Sequence, residues 1–162
     1  MPEKLSTIET EQTKAEGEIQ LEEVAELESP IKKIIEKIKN RIENGEYGLI
    51  IGDDASGRIP TRILGDFIRE ISRIKGHNQP HVIFIPGKLT FLPFGGFIRQ
   101  KQFEQHISKY GATPDKKILI ITDTVFSGES LEELVGLIKK GGYVPEIAVI
   151  GQEFEGPYGR TP

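Results

Sequence analysis

Cysteine and tryptophan are both absent from this chain of 162 residues, and methionine occurs once. Without cysteine the chain forms no disulfide, has no thiol nucleophile and offers zinc no thiolate ligand. No apolar run approaches the roughly 20 residues that a transmembrane helix needs, so we expect no membrane partner. The N-terminal residues also lack the basic start and apolar stretch of a secretory signal. We therefore expect a cytoplasmic protein.

The chain also has fewer basic than acidic residues. The chain has 21 Lys and Arg against 25 Asp and Glu, a formal net charge of -4. Binding to the phosphate backbone of nucleic acid depends on clustered cations, so we expect no nucleic-acid partner. The histidines His77, His81 and His106 show no metal-ligand spacing. Neither the G-x-G-x-x-G pattern nor the P-loop pattern of nucleotide-binding proteins occurs.

Short apolar runs alternate with segments in which apolar residues recur at helical spacing. Alternation of this kind predicts a parallel sheet with helices packed on both faces. We therefore predict an α/β fold built on an open, mostly parallel sheet. The predicted strands are residues 49–51, 81–85, 118–121 and 144–150. Four helices are predicted. The first has Ile31, Ile34, Ile35, Ile38 and Ile42 at helical spacing, the second has Ile63, Leu64, Phe67, Ile68 and Ile71, the third covers residues 101–110, and the fourth has Leu131, Leu134, Val135 and Ile138.

Composition divides the chain into three parts. Residues 1–29 are acidic and mostly polar, and we expect a partly disordered N-terminal tail in which 19–27 has the spacing of a short helix. Residues 30–151 carry the patterns of the α/β domain, and residues 152–162 are an irregular C-terminal segment. At the first boundary, Ser29-Pro30 predicts a helix start with Ser as the N-cap and Pro as the first helical residue.

Ligands of open parallel sheets bind beyond the carboxyl ends of the strands. Three predicted loops leave strands at that edge, at residues 52–58, 86–100 and 122–129. The second loop is long for a compact domain, and such loops are often lids. We interpret it either as a loop packed on its own phenylalanines or as a ligand contact. In the second case Lys88, Arg99 and Lys101 would reach a polyphosphate, and Phe91, Phe94 and Phe97 would stack on a base.

The third loop follows the apolar run 118–121 and reads Thr122-Asp123-Thr124-Val125-Phe126-Ser127-Gly128-Glu129-Ser130. A helix comes next, and the N–H groups at a helix start are suited to binding phosphate. Ser127 and Ser130 would donate to phosphate oxygens, and Asp123 would accept hydrogen bonds from ribose hydroxyls. In the simpler alternative, Ser127 is a helix N-cap, Ser130 and Glu133 form a capping box, and Asp123 is a turn residue.

The first loop, residues 52–58, offers a second anion site. Its glycines permit a tight turn, and its backbone, serine and arginine would hold an anionic group. Its two aspartates are candidate ligands for Mg²⁺, which prefers oxygen ligands and often bridges to substrate phosphates. The alternative is an ordinary strand-to-helix turn with Asp at the cap. The candidate residues are Ser56, Gly57 and Arg58 for the anion, and Asp53 and Asp54 for the metal.

On these residues the chain resembles the type I phosphoribosyltransferase family. The signature of that family is four apolar residues, two acids, a short apolar pair and a Thr/Ser–Gly–x–Thr/Ser loop, and residues 118–130 are similar to it. The order of elements from about residue 31 to residue 150 is similar as well. The resemblance implies a phosphoribosyltransferase-like fold. It also implies that 52–58 is the pyrophosphate loop and that 88–100 is the flexible catalytic loop.

The resemblance implies a ligand and an activity. The ligand would be a phosphorylated sugar or nucleotide, in particular phosphoribosyl pyrophosphate with Mg²⁺, and the activity would be transfer of phosphoribosyl to a nitrogenous base in nucleotide metabolism. Asp123 would hold the ribose as the catalytic carboxylate. The resemblance leaves a homodimer open. The 5′-phosphate would bind at Ser127, Gly128, Glu129 and Ser130, and the pyrophosphate at Ser56, Gly57 and Arg58.

The chain departs from the family signature at three positions, and two of these departures, Thr122 and Glu129, favour an alternative function. Thr122 replaces the first acid, Phe126 stands where a small hydroxyl residue is usual, and Glu129 stands where a small residue is common. The alternative is a non-catalytic phosphoribosyltransferase-like module that senses a nucleotide or binds a partner. An Asp-x-Asp phosphatase is disfavoured because Val125 occupies the position of its second Asp.

Overall fold

The structure is a computed structural model that describes residues 22–53, 57–85, 96–123 and 129–151. Helices and strands alternate through these residues, as the sequence predicts. The elements are α1 (Glu22–Glu43), β1 (Tyr47–Asp53), α2 (Arg58–Ile74), β2 (His81–Ile85), α3 (Gly96–Lys109), β3 (Lys117–Thr122), α4 (Glu129–Lys140) and β4 (Val144–Val149).

The four strands form one open sheet in the order β2-β1-β3-β4, and each neighbouring pair is parallel. The predicted α/β class and parallel sheet are therefore confirmed. The two central strands are apolar on both faces, as is typical of parallel strands covered by helices on each side. In β3 the four residues 118–121 are each buried.

Helices cover both faces of the sheet, so the hydrophobic core has two layers. One layer packs α3 and α4 on alternate residues of the strands, and the other packs α1 and α2 on the intervening residues. This division follows from the period of two along a strand. The first layer includes Leu49, Ile51, Ile118, Ile120, Phe103, Ile107 and Ile138, and the second includes Ile50, Leu119, Ile121, Ile31, Ile38, Leu64 and Ile68.

Helix α1 begins before the predicted boundary at residue 30. Pro30 lies inside the helix, so the predicted N-cap at Ser29 is wrong. A proline inside a helix costs about 3 kcal/mol because it removes a hydrogen bond and crowds the preceding turn. However, Leu27 and Ile31 on either side of it pack on the same apolar cluster. Burial of this continuous face outweighs the local cost.

The buried face of α2 differs from the prediction at two positions. Leu64 and Ile68 are fully buried, but Ile63 and Phe67 remain 38% and 39% exposed. The buried face contains small and polar residues instead, among them Pro60, Thr61 and Ser72. Apolar residues thus occur on both the inner and the outer side of this helix.

Two ion pairs and a hydrogen bond join α1, β1, β3 and β4 near the amino ends of the strands. The Arg41 guanidinium of α1 lies 2.7 Å from Glu146 of β4, and the Lys117 ammonium of β3 lies 2.8 Å from Glu46. Arg41 also donates to the hydroxyl of Tyr47, whose burial raises the pKa of that phenol. We call these five residues the amino-edge network. None of the helices in the described ranges has the length and apolar character to span a membrane.

Candidate functional site at the carboxyl edge of the sheet

The strand register brings the ends of β1 and β3 together. Gly52 of β1 pairs with Ile121 of β3 on one side and with Phe84 of β2 on the other. The chain leaves β1 towards β2 and leaves β3 towards β4, so the strand order changes direction between these two strands. In an open parallel sheet, such a switch point creates a crevice at the carboxyl edge where ligands bind.

Helix α2 packs closely against the end of β1 at this edge. A Cβ on Gly52 would lie 2.5 Å from Thr61 Oγ1 and 2.8 Å from Thr61 Cβ, a distance that real contacts do not reach. Glycine is therefore required at this position for the helix to approach. The hydroxyl oxygen of Thr61 is buried and has no hydrogen-bond partner among the described residues.

Among the described residues, those in the first turn of α2 are neutral or positively charged. Its N-cap, Gly57, has no side chain to cap the helix, and the first turn contains no acid. The partial positive charge of the helix dipole is therefore not offset by a carboxylate of this helix. Two guanidiniums add to it at the end of β2, since Arg58 and Arg62 lie 5.6 Å and 6.0 Å from the centre of the Phe84 ring. This end of the helix favours an anion.

The end of β3 is held by the chain that leaves β4. The backbone N–H of Ile150 donates to the carbonyl of Thr122 at 2.9 Å, and the N–H of Gly151 donates to the carbonyl of Asp123. The Thr122 side chain is buried, with 7% exposed, and Asp123 is half-buried. The backbone that carries the predicted ribose-binding carboxylate is therefore fixed to its neighbours.

The structure places only some of the predicted site residues. Gly57, Arg58 and Asp123 lie at the carboxyl edge, and Ser130 is exposed in the first turn of α4. Because Ser130 is inside the helix, the alternative in which it is the N-cap of a capping box is wrong. The other predicted ligands, namely Asp54, Ser56, Ser127 and Gly128 and the side chains of Asp53 and Glu129, lie outside the described residues.

Arg99 has a role that the sequence did not suggest. Helix α3 begins at Gly96, so the prediction of an irregular stretch as far as residue 100 is wrong. The Arg99 guanidinium forms an ion pair with Glu133 of α4 and so links the two helices. Lys101 is exposed on α3. The remaining residues proposed for this loop, Lys88, Phe91, Phe94 and the side chain of Phe97, are outside the described part.

A surface cleft of about 530 Å³ lies between α3 and α4. The Arg99–Glu133 pair forms part of its wall, together with Lys140 and Gly136. The amide of Gln100, which also lines the cleft, donates to the carbonyl of Leu137 at 3.0 Å. These two contacts join residues 34 and 37 positions apart, and no local pattern in the sequence signals them.

Among the described residues, no group of three or more His, Asp or Glu side chains could hold a metal ion. The predicted Mg²⁺ ligands, Asp53 and Asp54, are not covered by this finding because their side chains are not described. No family model matches the chain, and no curated protein and no solved structure matches it. The resemblance to phosphoribosyltransferases therefore rests on the residues and the element order.

Proposed function

We propose that this chain binds phosphoribosyl pyrophosphate, or a nucleotide through its 5′-phosphate, at the carboxyl edge between β1 and β3. The observation that carries the proposal is the register that pairs Gly52 with Ile121. It brings together, at one switch point, the strand ends that lead into the two motif loops, residues 52–58 and 122–129. The positive N-terminus of α2 supports an anionic ligand. No second switch point occurs in the four described strands.

In this proposal each loop binds one part of the ligand. The amides and hydroxyls of 127–130 would bind the 5′-phosphate at the start of α4, and Asp123 would accept hydrogen bonds from the ribose hydroxyls. Gly57 and Arg58, with Ser56, would bind the pyrophosphate beside the start of α2. The carboxylates of Asp53 and Asp54 are suited to Mg²⁺, which would arrive with the pyrophosphate oxygens.

Transfer to a nitrogenous base is the proposed reaction. The bond from the ribose anomeric carbon to pyrophosphate breaks, positive charge develops on the ribose, and a base nitrogen forms the new bond. Proteins accelerate such a step mainly by positioning the reactants and by stabilising the developing charge. Asp123 directly follows β3, and in this proposal its carboxylate lies next to the ribose.

One structural observation favours a second function, ligand binding without transfer. Thr122 stands where the family has its first acid, and it is buried at the end of β3. The ribose would then have one carboxylate instead of two. A lost charge-assisted hydrogen bond costs about 1.5–3 kcal/mol, or roughly ten- to a hundred-fold in affinity. In this reading the chain senses a nucleotide or binds a partner.

Isothermal titration with phosphoribosyl pyrophosphate and Mg²⁺ tests the proposed site. We expect Asp123→Asn to weaken binding by about ten- to a hundred-fold. Asp115→Asn is the matched control, because Asp115 is an exposed carboxylate in the turn before β3. Thermal unfolding of both variants shows whether the fold is intact. Equal binding by the two variants, or no binding by the unmodified chain, would contradict the proposal.

Pyrophosphate release with a panel of purine and pyrimidine bases separates the two functions. Release that depends on one base and is lost in Asp123→Asn supports transfer. Binding of phosphoribosyl pyrophosphate without release for any base supports the sensing module. Release that persists in Asp123→Asn would contradict the role assigned to that carboxylate.

A further inference from the structure

Two arginines of α2 share one aromatic ring at the carboxyl edge of the sheet. The guanidinium carbons of Arg58 and Arg62 lie 5.6 Å and 6.0 Å from the centre of the Phe84 ring, within the range of a cation–π interaction. Phe84 is half-buried near the end of β2 and pairs in register with Gly52 of β1. The ring thus gathers two positive charges beside the strand ends of the candidate site. Neighbouring cations repel each other, so this arrangement favours an anion as a third member.

The other two arginines of α2 have a different environment. Arg73 lies 2.6 Å from Glu70, and Arg69 lies 3.9 Å from Asp66, so each is close to an acid of its own helix. The first turn of the helix contains no acid. Arg62 is exposed and forms no ion pair within the described part of the chain. Its charge is therefore accessible to a ligand.

The backbone of α2 presents hydrogen-bond donors at the same place. The first hydrogen bond of the helix runs from the N–H of Thr61 to the carbonyl of Gly57 at 3.0 Å, so the N–H groups before Thr61 are directed out of the helix start. The side chain of Thr61 is fully buried against Gly52, and its hydroxyl has no partner among the described residues. A water or an ion at the site commonly explains such a group.

The spacing of the two arginines selects the kind of anion. They are one helical turn apart, and side chains at this spacing begin about 5–6 Å from each other. A single phosphate at the helix start has one charged centre, whereas a diphosphate has two linked centres for two guanidiniums. Asp53 and Asp54 precede this turn, and their side chains lie outside the described residues. As the candidate Mg²⁺ ligands they would be compatible with a diphosphate that brings the metal with it.

We propose that Arg62 is a second cationic ligand for the pyrophosphate group and that Phe84 positions its guanidinium beside that of Arg58. The inference rests on the proposed function for the identity of the complete ligand, because it concerns the part of that ligand next to α2. The ribose and its 5′-phosphate would lie at the end of β3, away from Arg62. The start of α2 would therefore bind a diphosphate more tightly than a single phosphate.

Isothermal titration with inorganic pyrophosphate and Mg²⁺ tests the role of Arg62. We expect Arg62→Gln to weaken pyrophosphate binding by about tenfold and to leave the affinity for ribose 5-phosphate unchanged. Arg69→Gln is the matched control, because Arg69 lies seven residues further on the same side of the helix and carries the same charge. It should change pyrophosphate affinity less than about twofold. Thermal unfolding shows whether each variant is folded.

A double-substitution experiment tests the role of Phe84. Phe84→Leu keeps an apolar side chain at the end of β2 and removes the aromatic face. It should weaken pyrophosphate binding by about two- to fivefold in the unmodified chain and by a smaller factor in the Arg62→Gln background. The same factor in both backgrounds would mean that Phe84 supports the fold without positioning Arg62, which would overturn its proposed role.

The outcomes distinguish this inference from the proposed function. Pyrophosphate binding that depends on Arg62, without binding of ribose 5-phosphate or phosphoribosyl pyrophosphate, would support the inference and contradict the proposed function. Binding of ribose 5-phosphate, with pyrophosphate affinity unchanged in Arg62→Gln, would support the 5′-phosphate site and overturn the inference. Equal losses in Arg62→Gln and Arg69→Gln, or no pyrophosphate binding by the unmodified chain, would overturn it as well.

Discussion

Gly52 of β1 and Thr61 of α2 are in contact with no room for a methyl group between them, since a Cβ on Gly52 would lie 2.5 Å from Thr61 Oγ1. Rotation of Thr61 about χ1 would not relieve the contact, because the Thr61 Cβ atom itself would lie 2.8 Å from the new methyl group. The start of α2 and the end of β1 are thereby held at a fixed separation. The two elements that flank the first motif loop are positioned by this contact.

We expect Gly52→Ala to destabilise the protein by about 1–3 kcal/mol, the usual cost of inserting a methyl group into a packed site. Chemical denaturation measures the change. The matched control is Gly136→Ala in α4, where a Cβ would meet nothing within 4 Å. Removing a helical glycine should stabilise by roughly 0.5–1 kcal/mol. If Gly52→Ala is neutral or stabilising, as expected for Gly136→Ala, the close packing of α2 on β1 is wrong.

Thr61→Val should stabilise the protein by about 1–3 kcal/mol, because it removes a buried hydroxyl that has no described partner. The comparison is Ser72→Ala on the same helix. The Ser72 hydroxyl is also buried but donates to the carbonyl of Ile68 at 2.8 Å. Its loss should cost roughly 0.5–1.5 kcal/mol. A loss of stability in Thr61→Val would show that its hydroxyl has a partner.

The Glu46–Lys117 pair should make stability depend on pH in the acid range. The hydrogen bond from Lys117 lowers the pKa of Glu46. The pair therefore stabilises the fold above the ordinary glutamate pKa of about 4.3, and this stabilisation is lost as the pH falls through the lowered value. About a third of each side chain is exposed, so screening limits the contribution to no more than about 1 kcal/mol.

Urea denaturation of Glu46→Gln from pH 7 to pH 2 checks this expectation. The variant should be less stable than the unmodified chain at neutral pH, and the two should converge at the acid end. Lys117→Met should lower the free energy of unfolding less in the Glu46→Gln background than in the unmodified chain. A constant difference at every pH would mean that the carboxylate contributes by packing rather than by charge.

Thr122→Asp should strengthen binding of phosphoribosyl pyrophosphate by about tenfold, since it restores a second charged acceptor for the ribose hydroxyls. Burial of the new carboxylate should lower stability, which thermal unfolding would show. Thr122→Asn is the control, because it has nearly the same shape without the charge. Equal affinity of the two variants in calorimetry would argue against ribose binding at the end of β3.

The sheet was predictable because its signals are local. The strand at 81–85 was predicted with its observed bounds, and the strands around Ile50 and Leu119 were extended by one or two residues at each end. Helix ends marked by glycine were also predictable. Gly45 and Gly142 have φ values of 63° and 81°, which L side chains rarely adopt, and they follow α1 and α4.

The errors occurred where contacts between distant residues override local preference. Pro30 is typical of the first residue of a helix, but packing of the apolar face of α1 extends the helix to residues before it. Arg99 was assigned to an irregular loop because glycine and phenylalanine surround it, whereas its pairing with Glu133 is made on a helix. Neither the partner nor the helix start is visible in the neighbouring residues.

The candidate site could be predicted only in its position. Asp123 and Arg58 follow buried strands, and the rule for parallel sheets locates both at the carboxyl edge. The close packing of Gly52 on Thr61 was not predictable, because it depends on the angle at which α2 crosses β1. On α2 the burial of Leu64 and Ile68 was predicted correctly, but Ile63 and Phe67 were wrongly included because they lie next to these residues in the sequence.

The amino-edge network secures the fold at the end of the strands opposite the candidate site. Arg41 and Lys117 bind carboxylates there, while the motif loops leave the sheet at the far end. Substitutions in those loops at positions other than the packed Gly52 and Thr122 therefore leave the amino-edge network in place. Ligand preference could therefore change through substitutions at the carboxyl edge of the sheet while the amino-edge network stays the same.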